Sequence, residues 1–275
     1  MLNENQVAQH YSHGNLIGAI EAAVSSMGKT TDKLSIDDLG PVDEFHIGGR
    51  VATSNLLGQT NFGASDHIID MGCGLGGASR FIANKINSRV TGVDLTQEYV
   101  DTGNELNRWV GLDKLVNLQQ GSILSLPFED ESFDGALMLH VGMNIADKNA
   151  LFKEAYRVLK PGAIFGIYDV MKTGDGDLTY PVPWATDQST SSLASAEEYQ
   201  QALEQAGFKA GVINNRRDFG LEFFKQMKAK TEANGGPPPL GLHTLMQAST
   251  PLKLKNMIEN ISAGNIAPIE IIAQR

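Results

Sequence analysis

From residue 67 onward the hydrophobic positions alternate between two periods. Short runs of four to eight apolar and β-branched residues give way to longer stretches with apolar residues three and four apart, the patterns of strand and amphipathic helix. A strand at 67–71 precedes a helix at about 75–86; "SRVTGVDL" reads as a strand and 97–110 as a helix. "LVNLQQ" and "FDGALMLH" read as strands, 147–159 as a helix and "GAIFGIYDV" as a strand. Strict alternation of this kind predicts an α/β chain with a doubly wound, mostly parallel sheet covered by helices on both faces. A ligand is then expected beyond the C-terminal strand ends, where strand order reverses. Residues 5–26 can form one or two helices, "NLIGAIEAAVSSM" being the clearer, and the second half of "DEFHIGGRVATSNLLGQ" is also helical. The expected organisation is a helical cap over 1–60 and one larger domain over 61–275. After residue 170 the chain loosens into "MKTGDGDLTYPVPWATDQSTSSL", then resumes with a helix at about 195–206 and a strand near 208–214. An amphipathic segment, "RRDFGLEFFKQMKAKTEA", leads through the turn-rich "NGGPPPLG" to a helix around 250–262 and a closing strand, "APIEIIAQ". The segments at about 171–194 and 216–262 are expected to form a helical and loop lid over the site.

The stretch "IIDMGCGLGG", residues 68–77, is the first with chemistry in it. An apolar pair runs through Asp70 into Gly72, Gly74, Gly76 and Gly77, as a strand does when a tight turn opens a helix. Gly72, Gly74 and Gly77 fit the dinucleotide fingerprint, and the same glycines fit the G-x-G-x-G loop that binds S-adenosylmethionine. Asp70 separates the two. A carboxylate beside the turn repels a pyrophosphate at short range but attracts the α-ammonium and sulfonium of S-adenosylmethionine. Asp94, at the end of the next strand, stands where an acid grips ribose hydroxyls in either case.

Composition narrows the partners. The chain has 275 residues, 41% hydrophobic and 20% charged, with a formal net charge of -10. That balance offers no basic block for nucleic acid or an anionic membrane surface, and no apolar run approaches the ~20 residues that span a bilayer. The single cysteine, Cys73, leaves no disulfide framework, so a cytoplasmic protein is expected. His10 and His13 share a helical face without a third ligand, and no metal site is expected.

The loop "DMGCGLGG", Asp94, "GS" after the third strand, "LPFEDESFD" before the fourth and "EAYRVLKPGAIFGIYD" around the fifth together resemble the class I S-adenosylmethionine-dependent methyltransferases over residues 66–170. More narrowly, "DEFHIGGRVAT" and "LHVGMNIADKNALFKEAYRVLKPG" resemble the small-molecule enzymes related to sarcosine and dimethylglycine N-methyltransferases. The resemblance implies a Rossmann-like fold, S-adenosylmethionine as donor and S-adenosylhomocysteine as product. It also implies a cofactor site made of Asp70, Gly72, Gly74, Gly76, Asp94, Leu95, Ser122, Ile123 and Leu139. Where the family often has an aspartate on the adenine amino group, this chain has Ser122, so the contact would fall to Ser122 and the backbone of Ile123.

Methyl transfer from a sulfonium is an in-line displacement in which positioning dominates, and a base is needed only where the acceptor must lose a proton. His140, ending the fourth strand, and His46, in "FHIGG", are the candidate catalytic residues. Tyr11, Tyr168, Tyr180 and Trp184 can offer π faces to a cation. Trp184, in the proline-containing "YPVPWA" of a polar insertion, is expected to have little core to join and to meet the ligand. Asn144, Tyr168, Trp184 and Arg217 make up the candidate acceptor site, the arginine serving the carboxylate of a glycine-type substrate. The expected reaction is methylation of a small molecule, with a glycine-type amine as the first candidate and O- or C-methylation open. Partners beyond that acceptor are not expected, though a homo-oligomer is compatible with the sequence. The rivals are an NAD(P)-dependent oxidoreductase, which Asp70 and the lack of a Tyr-x-x-x-Lys set disfavour, and an S-adenosylmethionine-binding protein without catalysis.

Overall fold

The computed structural model describes residues 4–275. Four helices come first, α1 (Glu4–Tyr11), α2 (Leu16–Ser26), α3 (Ile36–Asp43) and α4 (Gly49–Leu57). The alternating part follows as β1 (His67–Met71), α5 (Gly77–Ile86), β2 (Arg89–Asp94), α6 (Gln97–Trp109), β3 (Val116–Gln120), β4 (Phe133–Leu139), α7 (Lys148–Val158) and β5 (Leu159–Lys172). Beyond it lie α8 (Ala196–Ala206), β6 (Lys209–Asn215), α9 (Arg217–Ala233), α10 (Leu242–Met246), α11 (Thr250–Ser262) and β7 (Ile266–Gln274).

The strands form one seven-stranded sheet in the order β3-β2-β1-β4-β5-β7-β6. Pairing is parallel from β3 through β5, and β7 runs antiparallel to both β5 and β6. The period-two pattern divides the two faces: Ile69, Met71, Ala136 and Met138 enter one apolar core, while Ile68, Leu137 and Leu139 enter the other. Strand order reverses between β1 and β4, which opens a crevice at their C-terminal ends. Among the described residues no helix is long and apolar enough to cross a membrane.

Two features that the sequence reading did not anticipate shape the site. Helix α3 forms in "IDDLGPVD" despite Pro41, because Ser35 and Asp38 cap it reciprocally and Leu39 and Val42 are fully buried. The insertion after β5, expected to have little core, is instead anchored. Val182, Trp184 and Ala185 are buried with Phe224, Met257 and Ile261. The Asn256 and Asn260 side-chain amides donate to the carbonyls of Pro181 and Thr179, each at 2.9 Å, and Thr179 N–H donates back to Asn260 at 2.9 Å. The segment is a strap bound to α11.

Candidate active site

The turn after β1 passes through left-handed backbone at Gly72 (φ 81°), Gly74 (φ 53°) and Gly76 (φ 81°). A Cβ at Gly72 would lie 2.4 Å from the Val141 side chain, so the turn can close against the β4 loop only as glycine. Asp70 is buried beneath it and accepts a hydrogen bond from the Ser79 hydroxyl at 2.6 Å. Burial pushes its carboxyl up to about 6, with the Asp94 charge adding to the shift and the Ser79 bond opposing it. Asp94 reaches across from β2 and accepts from the amides of Gly74 (2.9 Å) and Thr96 (2.8 Å). The Thr96 side chain bonds the same carboxylate, which leaves part of its accepting capacity for a ligand.

These groups border a cavity of about 260 Å³. Glu4, Asp43, Asp70, Asp94 and Asp147 line it, with no lysine or arginine among the lining residues. Gly72, Gly74, Leu95, Ile123 and Leu139 line it as well. Next to it lies an inner chamber of about 40 Å³, walled by Met143, Trp184, Phe223, Phe224, Leu254 and Met257. Tyr11, Phe45, His46 and His140 border both spaces. The boundary between a polar, acidic compartment and an apolar one is thus made of two imidazoles and two aromatic rings.

The sheet and the N-terminal helices each supply one histidine. His140 follows β4 with left-handed backbone (φ 55°), its amide donating to the Tyr168 carbonyl at 2.7 Å. Its ring lies 5.2 Å from that of Tyr168 and 5.9 Å from that of His46, and its Nε2 is buried without a partner among the described residues. Burial, with the His46 imidazole adding to it, holds its pKa well below the ordinary histidine range. His46 sits in the turn between α3 and α4, where burial lowers it to about 4. Both rings are therefore neutral at physiological pH.

Several residues singled out from the sequence lie elsewhere. Gly76 shapes the turn without lining the cavity; a Cβ there would meet Leu118 at 2.8 Å. Ser122 also stands outside the lining, its hydroxyl donating to Glu4 and accepting from the Leu124 amide at 3.1 Å, while Ile123 and Leu124 face the cavity. Tyr168 is fully buried behind the histidines, its hydroxyl without a partner among the described residues. Trp184 is 2% exposed and donates its indole N–H to Ser191 at 2.9 Å; it is a core residue that walls the inner chamber. Arg217 turns away, donating to the carbonyls of Ile261 (2.9 Å) and Ser262 (2.8 Å) at the end of α11. Asn144 does line the cavity, with its side chain 3.4 Å from the Tyr11 hydroxyl. Sequence reasoning missed Asp43, Phe45, Thr96, Tyr99 and Asp147, which line the cavity from α3, from the first turn of α6 and from the loops after α3, β2 and β4. Asp43 and Phe45 stand in the "DEF" that precedes "HIGG" and Asp147 in "LHVGMNIADKN", while Thr96 and Tyr99 left no trace. No group of three or more histidine, cysteine or acidic side chains among the described residues could hold a metal ion.

Comparison with known proteins agrees with this geometry. Residues 69–167 match the family described as a methyltransferase domain. The cycloartenol-C-24-methyltransferase of Arabidopsis thaliana is 39% identical over 102 residues, which are 37% of this chain and 30% of that protein, so the chain spans about a third of that relative. Among solved structures, the geranyl diphosphate C-methyltransferase of Streptomyces coelicolor A3(2), in complex with Mg2+, geranyl diphosphate and S-adenosyl-L-homocysteine, superposes with a TM-score of 0.69 at 20% identity. That match covers 99% of this chain and 97% of the other. The [4+2]-cyclase SpnF superposes with a TM-score of 0.71 at 20% identity, covering 100% and 97%. The glycine turn, the acid after β2 and the methyltransferase-domain match over residues 69–167 fall on the same strands of a Rossmann-like sheet.

Proposed function

We propose that the protein is an enzyme that transfers a methyl group from S-adenosylmethionine to an uncharged small molecule whose apolar body enters the inner chamber. The observation that carries this reading is the meeting of the two compartments at His46 and His140. In it Asp94 takes the ribose hydroxyls, Leu95, Ile123 and Leu139 flank the adenosine, and Gly72, Gly74 and Asp70 receive the methionyl end. A donor with a sulfonium, an ammonium and one carboxylate carries net positive charge, which suits five lining carboxylates without a lysine or arginine. The sulfonium methyl then faces the histidine boundary, with Tyr11 and Asn144 closing the site. Of the cap expected over 1–60, residues 1–3 lie outside the described residues; the helices from Glu4 onward act as a cap on the domain at 61–275, and the lone cysteine suits the cytoplasm.

The same lining argues for the acceptor's charge. A phosphate or carboxylate would enter an acidic cavity, and Arg217, the candidate partner for a glycine-type carboxylate, is spent on α11 carbonyls. An uncharged, largely apolar acceptor is therefore better supported than a glycine-type amine. Because this fold hosts a cyclase as well as methyltransferases, methyl transfer itself must be measured. S-adenosylhomocysteine should raise the melting temperature where NAD and NADP do not, by mass action on the folded state. Labelled S-adenosylmethionine should then mark apolar alcohols, phenols or amines in preference to glycine and sarcosine. A shift with a nicotinamide cofactor alone would overturn the donor assignment, and faster labelling of glycine would overturn the acceptor class.

A further inference from the structure

We propose that Thr53 and Glu44 are positioning residues that fix His46 as its Nε2–H tautomer, leaving Nδ1 as the bare nitrogen that takes the acceptor's proton. The His46 Nε2 lies 3.0 Å from the Gly49 carbonyl, which can only accept and so favours a hydrogen on Nε2 without fixing it alone. It also lies 3.0 Å from Thr53 Oγ1. That hydroxyl donates its own proton to Glu44 Oε2 at 2.6 Å, so toward the imidazole it can only accept. The other Glu44 oxygen is taken by Arg50 Nε, and Arg50 is itself held by Asp37 at 2.8 Å and the Ile36 carbonyl at 3.0 Å. Every proton in the chain from Arg50 to His46 has one direction, and each link forces the next.

The backbone builds the same preference. Gly48 (φ 90°) and Gly49 (φ 48°) turn the Gly49 carbonyl back onto the ring, and a Cβ at Gly48 would lie 2.4 Å from Phe219. The "HIGG" of the sequence is thus a device for aiming one imidazole. Glu44 Oε2 stands 3.7 Å from His46 Nε2, its side chain fully buried, so its charge is well placed to stabilise an imidazolium as it forms. The other groups facing the ring are Asp43, whose charge favours protonation, Arg50, whose charge opposes it, and the rings of His140 and Tyr168 at 5.9 and 6.2 Å.

The step rests on the methyltransferase reading; the tautomer does not. An acceptor O–H or N–H gives its proton to Nδ1, the heteroatom's electron pair forms the bond to the methyl carbon, and the C–S bond breaks with its electrons to sulfur. Neutral S-adenosylhomocysteine and a His46 imidazolium result, and the imidazolium returns the proton to solvent.

The test is a long-range proton–nitrogen correlation spectrum of the 15N-labelled full chain, with His46 assigned through His46→Gln. A single tautomer protonated at Nε2 is expected in the wild type. In Thr53→Val it should become a mixture, and Thr53→Ser should restore it. Nδ1–H in the wild type, or an unchanged His46 signal in a folded Thr53→Val, would overturn the proposal. If Thr53→Val does not fold, the wild-type and Thr53→Ser spectra decide: Nε2–H in both supports the relay, and any other form refutes it. S-adenosylhomocysteine added to the same samples separates the two ideas, since a chain that shows the tautomer but binds no S-adenosylhomocysteine would end the methyltransferase reading alone.

Discussion

Replacing Asp43 by alanine should destabilise the protein more than its place at a helix end suggests. Arg80 is fully buried, and its guanidinium donates to Asp43 (2.7 Å), the Leu75 carbonyl (2.7 Å), Asn107 (2.8 Å) and the Gly103 carbonyl (3.2 Å). Among the described residues Asp43 is its one ion-pair partner. Asp43→Ala keeps three polar contacts but leaves a buried charge uncompensated, a change that costs about 3–5 kcal/mol. At about 2–4 °C per kcal/mol for a domain near this size, the melting temperature should fall by roughly 6–20 °C. Urea unfolding with an unchanged m-value is the assay, because it separates lost stability from a changed denatured state. Asp43→Ala/Arg80→Met should recover part of the loss, since removing both charges is far cheaper than orphaning one. A loss under about 1 kcal/mol in Asp43→Ala, or a double variant as unstable as the sum of the singles, would refute the reasoning.

Asp70, raised to about 6 by burial, is ionised at pH 7 and protonated below that value, so affinity for the cationic donor should fall between pH 7 and pH 5. His46 at about 4 stays neutral over most of this window, and Asp70→Asn should flatten the profile; a pH-independent wild-type affinity by calorimetry would contradict the placement of the methionyl end. Asp94→Ala should weaken S-adenosylhomocysteine binding by about 1.5–3 kcal/mol, roughly tenfold to over a hundredfold, with the sheet intact. Equal affinity in the folded variant would place the ribose elsewhere. Amide exchange in residues 179–185 should be slow even without ligand, because Thr179 is bonded to Asn260 and Val182 to Ala185; exchange at free-loop rates would restore the lid expected from composition.

Much of this architecture is legible in local pattern because its central strands β1, β4 and β5 are buried on both faces and its crossover helices are amphipathic. The glycine turn is legible for a related reason: positive φ and close approach restrict Gly72 to one residue type. What stayed hidden depends on contacts between distant segments. Trp184 looked coreless because its partners, Phe224, Met257 and Ile261, come from α9 and α11. Arg217 looked free because the carbonyls it binds belong to the end of another helix. Helix α3 was masked by Pro41, although the capping residues Ser35 and Asp38 were visible beforehand. The inner chamber draws on α1, the α3–α4 turn, the strap and α9 to α11, and no single stretch of sequence carries its signature.

The position of β7 also constrains the order in which the chain can assemble. Strands β1 to β3 and then β4 to β5 pair with their neighbours in sequence, and β4 docks on β1, but β6 has no strand neighbour except β7, which is separated from it in sequence by α9, α10 and α11. The outer edge therefore cannot nucleate as its residues emerge; β6 must wait until the three helices have folded back and β7 has docked on β5. Closing so long a loop is entropically slow. The strap is tied to α11 and the inner chamber takes its walls from α9 to α11, so the acceptor side of the cavity should be the last part of the molecule to form and the first to come apart.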